Sequence, residues 1–170
     1  LLQYDGMNTA GSSNAYNFFT LTADGRVDGV KVHSDTDKPY LLDIIISQVD
    51  SQNGEATQEL IDIVQAALDP EHVRPVCDRP IVKSSIAKPY QITARLFVGK
   101  NAEDSLLLEA ANIRIQNYIQ KARKNGQSIR LSALYAALHV DGINRVVIDA
   151  PASDIEIDVY QHPHCTATNI

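Results

Sequence analysis

Four adjacent residues near the C-terminal end, His162-Pro163-His164-Cys165, are the types that most often bind a transition metal. Imidazole nitrogen and thiolate sulfur suit zinc, but a closed structural site needs four such ligands in a tetrahedron. In an extended segment His164 and Cys165 point to opposite sides, and no CxxC or HxxxH companion occurs elsewhere. The cluster therefore reads as the approach to a strand. Acids offer a second candidate chemistry at Asp24, Asp28, Asp35, Asp37, Asp141 and the group Asp149, Asp154, Glu156, Asp158. A calcium loop needs a D-x-[DN]-x-[DN]-G pattern closed by Glu, which is absent. Two hydrolytic carboxylates need a cleft and one member with a raised pKa, whereas Asp154, Glu156 and Asp158 alternate with Ile155, Ile157 and Val159 like the solvent face of a strand. Ser84, Ser85 and Ser132 lack a G-x-S-x-G setting, and Gly99-Lys100 lacks the phosphate-loop spacing. No catalytic residue, no metal and no cofactor is expected.

The elements that would position such residues are better specified than any chemistry. Tyr90, Ile92, Ala94, Leu96 and Val98 alternate with Gln91, Thr93, Arg95 and Phe97, which predicts a strand over 89–98 with one buried face. Leu108, Ala111, Ile115, Tyr118, Ile119 and Ala122 recur at spacings of three and four, which predicts a helix over 103–123. Asn101 is the expected N-cap, Glu103 and Asp104 suit the positive end of the helix, and Lys121, Arg123 and Lys124 suit its negative end before Gly126. A second, short helix is expected over 132–139, capped by Ser132 and burying Leu134, Ala137 and Leu138.

Upstream, the small and polar 1–13 stretch reads as a lead-in, followed by a short helix over 14–22 capped by Asn14 or Ser13. A hairpin of strands over 27–33 and 40–49, a helix over 57–69 stopped by Pro70, and an extended 75–86 stretch follow. A final meander over 146–148, 154–159 and 165–170 closes the chain. The fold class is thus α+β, with two small sheet-plus-helix domains built on mixed sheets. The boundaries are a lead-in at 1–26, a first domain at 27–86 and a second at 87–170.

Bulk properties exclude several roles. A net charge of −6 argues against general affinity for nucleic acid, which requires clustered Lys and Arg. No apolar run approaches the roughly 18 residues that read as a membrane span. Leu1 opens the chain and the only Met is at position 7, so the sequence reads as a piece of a longer protein. Cys77 and Cys165 form no disulfide framework. Large apolar residues remain that one domain's core does not explain, and their faces are covered either by the other domain or by another subunit: Phe97 falls on the polar face of its strand, Tyr16, Phe18 and Phe19 crowd one short helix, and Ile45 opposes Ile44 and Ile46.

The run VRPVCDRPIV, the phrase PYQITARLFV, the helix opening DSLLLEAA and the phrase IRLSALYAALHVDGINRVVI together resemble the C-terminal half of the Baseplate J-like proteins of contractile phage tails. The resemblance continues through Thr9-Ala10-Gly11, Ala15-Tyr16, Val27-Asp28-Gly29-Val30, Thr57-Gln58-Glu59-Leu60 and Cys165-Thr166-Ala167. It implies a non-enzymatic, structural role in the tail baseplate of the virion, made in the host cytoplasm. The partners would be other wedge proteins and neighbouring copies of the chain, with no nucleic acid, membrane or small-molecule substrate. It also implies a further N-terminal region. A tailocin or other bacterial injection device, and a tail-associated hydrolase using the 149–158 acids, are the alternatives. Phe97, Tyr118 and Tyr135 are the expected contact residues.

Overall fold

A computed structural model of the chain describes residues 12–70, 73–99 and 104–170. Asn101, Glu103 and the Thr9-Ala10-Gly11 phrase lie outside the described residues. The order is α1 (Ser13–Ala23), β1 (Val27–Ser34), β2 (Leu41–Gln48), α2 (Gln58–Leu68), β3 (Arg79–Ser84), β4 (Ile86–Val98), α3 (Asp104–Ala122), α4 (Leu131–Leu138), β5 (Ile143–Ala150) and β6 (Gln161–Asn169). The architecture is α+β, with two three-stranded mixed sheets ordered β1-β2-β3 and β5-β4-β6.

The expected hairpin forms, with β1 antiparallel to β2, and α2 carries the chain over to β3, which lies parallel to β2. Thr57 caps α2 through its side chain, and Leu60, Val64 and Leu68 recur every fourth residue to bury one face. They meet Ile44, Ile46 and Val82 from the sheet and Tyr16 from α1. The crowded aromatics of α1 are therefore largely accounted for within the chain. Tyr16 is buried and donates to Asp78 Oδ2 at 2.8 Å, and Phe19 packs on the same core. The cap of α1 is Ser12, whose Oγ accepts from Ala15 N, rather than Ser13 or Asn14.

In the second core, Tyr90, Ile92 and Ala94 bury the expected face of β4 against Ile115 of α3 and Leu134 and Leu138 of α4. Leu108 departs from the expected stripe: it is 40% exposed, as are Leu106 at 57% and Ile113 at 56%, while the adjacent Leu107 packs near Gly142.

Three expectations fail for reasons of tertiary packing. The C-terminal strands form no meander, because β5 pairs antiparallel with one side of β4 and β6 parallel with the other. Residues 154–159 form no strand either; their one ladder contact is the isolated bridge between Ile155 and Ile129, and the main-chain groups flanking it bond to side chains such as Ser128. Ser132 does not cap α4. Asp154 Oδ1, 23 residues away, accepts from Leu131 N at 2.9 Å and supplies what a local cap would. Asp154→Ala should accordingly lower the midpoint of chemical denaturation, as loss of a helix cap does, whereas Ser132→Ala should leave that midpoint unchanged.

Candidate functional site

The two sheets meet along a polar joint. β3 ends at Ser84 and β4 begins at Ile86, so Ser85 alone links them. Ser85 is fully buried, and so is His162 on β6. Their contact, Ser85 Oγ to His162 Nδ1, is 2.7 Å, and His162 Nε2 lies 2.8 Å from the carbonyl oxygen of Asn53. A carbonyl only accepts, so Nε2 carries the proton and Nδ1 accepts from the Ser85 hydroxyl. Burial first, then the nearby Arg123 and His164, depress the imidazole pKa, against the opposing pull of the Asn53 bond and Glu55. His162 is thus a neutral bridge between the sheets.

Around it other side chains cross the joint. Arg123, one residue past α3, reaches back to the Gln48 carbonyl at 3.4 Å and to Asp28 at 3.6 Å. Asn125 Nδ2 donates to the carbonyls of Gly29 at 3.2 Å and Ile45 at 2.9 Å. The Tyr160 hydroxyl donates to Asp43 at 2.6 Å, and that bond is the main reason its pKa is pushed up to about 12. Burial would raise the Asp43 carboxyl, but its bonds from Lys83 and Tyr160 outweigh this and hold it below the ordinary range. Main-chain bonds run alongside, from Ile86 N to Tyr160 O at 2.9 Å and Gly126 N to Gln161 O at 2.8 Å. Ile45, whose face was expected to be covered by another domain or another subunit, is fully buried on the side of the first sheet that meets this joint.

Gly54 shows how tightly the joint closes. Its φ is +89°, a region that side chains other than glycine avoid. A Cβ there would stand 2.5 Å from Arg123 Nη2 and 2.6 Å from His162 Nε2.

The residues singled out for chemistry are otherwise engaged. Both ring nitrogens of His162 are taken, Cys165 packs on the second core, and among the described residues no three His, Cys, Asp or Glu side chains gather as metal ligands. Asp154 and Glu156 both bond Arg130. The Leu131 N–H and then Arg130 hold Asp154 low, and Ser128 and then Arg130 hold Glu156 low. Neither carboxyl has the raised pKa that a general acid requires.

The three expected contact residues do not share a patch. Phe97 is 39% exposed, stacked under the Arg145 guanidinium at 4.2 Å, on the sheet face opposite the one that α3 and α4 cover. Tyr118 is half-buried and lines a groove of about 420 Å³ between α3 and α4 with Arg114, Lys121 and Ala133, and Tyr135 is exposed on α4. Nothing local in the sequence marks Ser85, Asn53, Arg123 or Asn125 as joint residues, because their partners lie 75 to 109 residues away.

Two outcomes are expected of the joint. Gly54→Ala should lower the midpoint of thermal unfolding by several degrees, consistent with a loss of about 2 kcal/mol or more from backbone strain and collision. An imidazole whose folded pKa is depressed resists protonation while the unfolded chain takes up a proton. Stability should therefore fall as pH drops below the unfolded value of about 6.5. Denaturant melts between pH 7 and 5 should show this slope, and His162→Gln, which keeps a neutral donor and acceptor, should flatten it.

Comparison with known proteins agrees with the fold. The Baseplate J-like protein C-terminal domain family matches residues 90–170. Baseplate protein J of Escherichia phage P2 is 37% identical over 163 residues, 96% of this chain, and the chain spans 53% of that relative's length. A chain of the anti-feeding prophage baseplate, solved by cryo-EM with six-fold symmetry imposed, superposes with a TM-score of 0.56 at 15% identity, over 94% of this chain and 37% of that one. No helix among the described residues is long and apolar enough to cross a membrane. Residues 90–170 thus match the J-type C-terminal domain, and nearly the whole chain is similar to part of a phage baseplate protein J.

Proposed function

We propose that this chain is a structural component of the baseplate wedge of a contractile phage or prophage tail, acting through protein–protein contacts in assembly and in the triggering of contraction. The observation that carries the reading is the 37% identity to the phage P2 baseplate protein along 96% of the chain. Its place would be the virion tail, and its partners the other wedge proteins and neighbouring copies of itself. The division into a lead-in at 1–26 and domains at 27–86 and 87–170 belongs to the same proposal, although the packing of Tyr16 and Phe19 on the first core supports counting α1 with the first domain.

A non-enzymatic role is supported by the state of the residues that looked chemical: His162 is spent on the joint, and Asp154 and Glu156 are held ionised on Arg130 and α4. Phe97, Tyr118 and Tyr135 remain the proposed contact residues. The exposed Phe97 and Tyr135 are the aromatic type that interfaces favour.

The test is the solution mass of the chain alone and after mixing with the other baseplate proteins, read by light scattering behind size exclusion. A discrete larger complex is expected, and a chain that ignores every one of those proteins would reduce the likeness to one of fold. Wall-degrading activity should be absent from the chain and unchanged by Asp154→Asn or Glu156→Gln.

A further inference from the structure

The two edges of the first sheet are treated differently. At β3 the edge is closed by a side chain: Gln65 of α2 accepts from Val82 N at 2.9 Å and donates to the Pro80 carbonyl at 3.1 Å. The amide stands where a neighbouring strand's peptide group would be, a standard guard against unwanted pairing. At β1 no strand pairs on the outer side among the described residues.

Which groups that edge offers follows from the register. Ser85 N donates to the Ile46 carbonyl at 2.8 Å, so Ile46 turns its main chain toward β3. Opposed residues of an antiparallel pair exchange both hydrogen bonds or neither. Val30, opposite Ile46, therefore turns its N–H and C=O outward, and Val32, opposite Ile44, does the same.

The edge also borders a walled space. An open groove of about 710 Å³ runs along Asp28 to Lys31, with Asn17 and Leu21 of α1 among its lining and the 124–128 turn across from them. Leu21 is 47% exposed there. Asp28 is neutralised by Arg123, while Lys31 and Lys124, both exposed, make no salt bridge among the described residues. The groove is thus basic in a chain of net charge −6, with an apolar anchor on one wall and two free ammonium groups at the other.

We infer that this groove receives an extended acidic segment of another polypeptide, added to β1 as a fourth strand. Val30 supplies the main-chain donor and acceptor. Alternate side chains of the added segment meet Leu21 on one side and Lys31 and Lys124 on the other, so the segment alternates apolar and acidic residues. The inference deepens the proposed structural role and rests on it only for the occupant being a protein.

The test is fluorescence anisotropy of a labelled eight-residue peptide of alternating Glu and Val, titrated with the 170-residue chain. The alternating Lys and Val peptide is the control. Val30→Pro removes the outward N–H at a position where edge strands tolerate proline, and Gly29 before it offers no Cβ to clash with the ring. The expected result is binding of the Glu peptide at least tenfold tighter than the Lys peptide, weakened at least tenfold by Val30→Pro. Lys31→Glu with Lys124→Glu should weaken it as much with an unchanged melting midpoint, and this surface variant decides the matter if Val30→Pro fails to fold. Equal binding by the variants, no preference for the Glu peptide, or a Val30-dependent dimer in place of peptide binding would overturn the inference. A complex with baseplate proteins that forms equally well with both variants would overturn the groove and leave the proposed function standing.

Discussion

A neutral imidazole enclosed between a serine hydroxyl and a main-chain carbonyl is the constraint on which the arrangement of the two sheets depends. His162 has its two nitrogens spoken for by Ser85 and Asn53, one contact on the link between the sheets and the other on the loop after β2. A charged ring would carry a proton on Nδ1, lose the Ser85 bond and leave a buried cation beside Arg123, which is costly where water is excluded. Gly54 is the steric counterpart, since only a residue without Cβ leaves Arg123 and His162 room in the same gap. Arg123, Asn125 and Tyr160 then extend the joint outward from this point.

Elements governed by local periodicity were legible in the sequence. The alternation through Tyr90, Ile92 and Ala94 and the four-residue spacing of Leu60, Val64 and Leu68 report burial directly, because each side chain faces the core its own period dictates. What could not be read was every feature whose partner is remote. Asp154 looked like the outer face of a strand, and its work is to cap a helix 23 residues upstream. Arg123 looked like a cation suited to its own helix end, and it crosses to the first sheet. The place of β6 beside β4 was hidden for the same reason, since a parallel partner across a sheet leaves no mark in the strand's own pattern.

Residues with chemical potential were legible as types and misleading as roles. His, Asp and Glu attract attention for their pKa values, yet here neighbours set those values away from catalytic use. The Leu131 N–H and then Arg130 keep Asp154 ionised, and burial keeps His162 neutral. The same physics that tunes an active site serves in this chain to hold two layers in register.

The single-residue link between β3 and β4 has a mechanical consequence. Flexible linkers let tethered bodies reorient with little resistance, but here the covalent path passes from one sheet to the next through one residue, Ser85, itself buried and bonded. The two strands form a nearly continuous rod, paired with β2 near one end and with β5 and β6 along the other. A tilt imposed on the second sheet is delivered to the first with almost no slack. Force applied along the rod loads the ladder bonds on either side in shear, all together instead of one at a time.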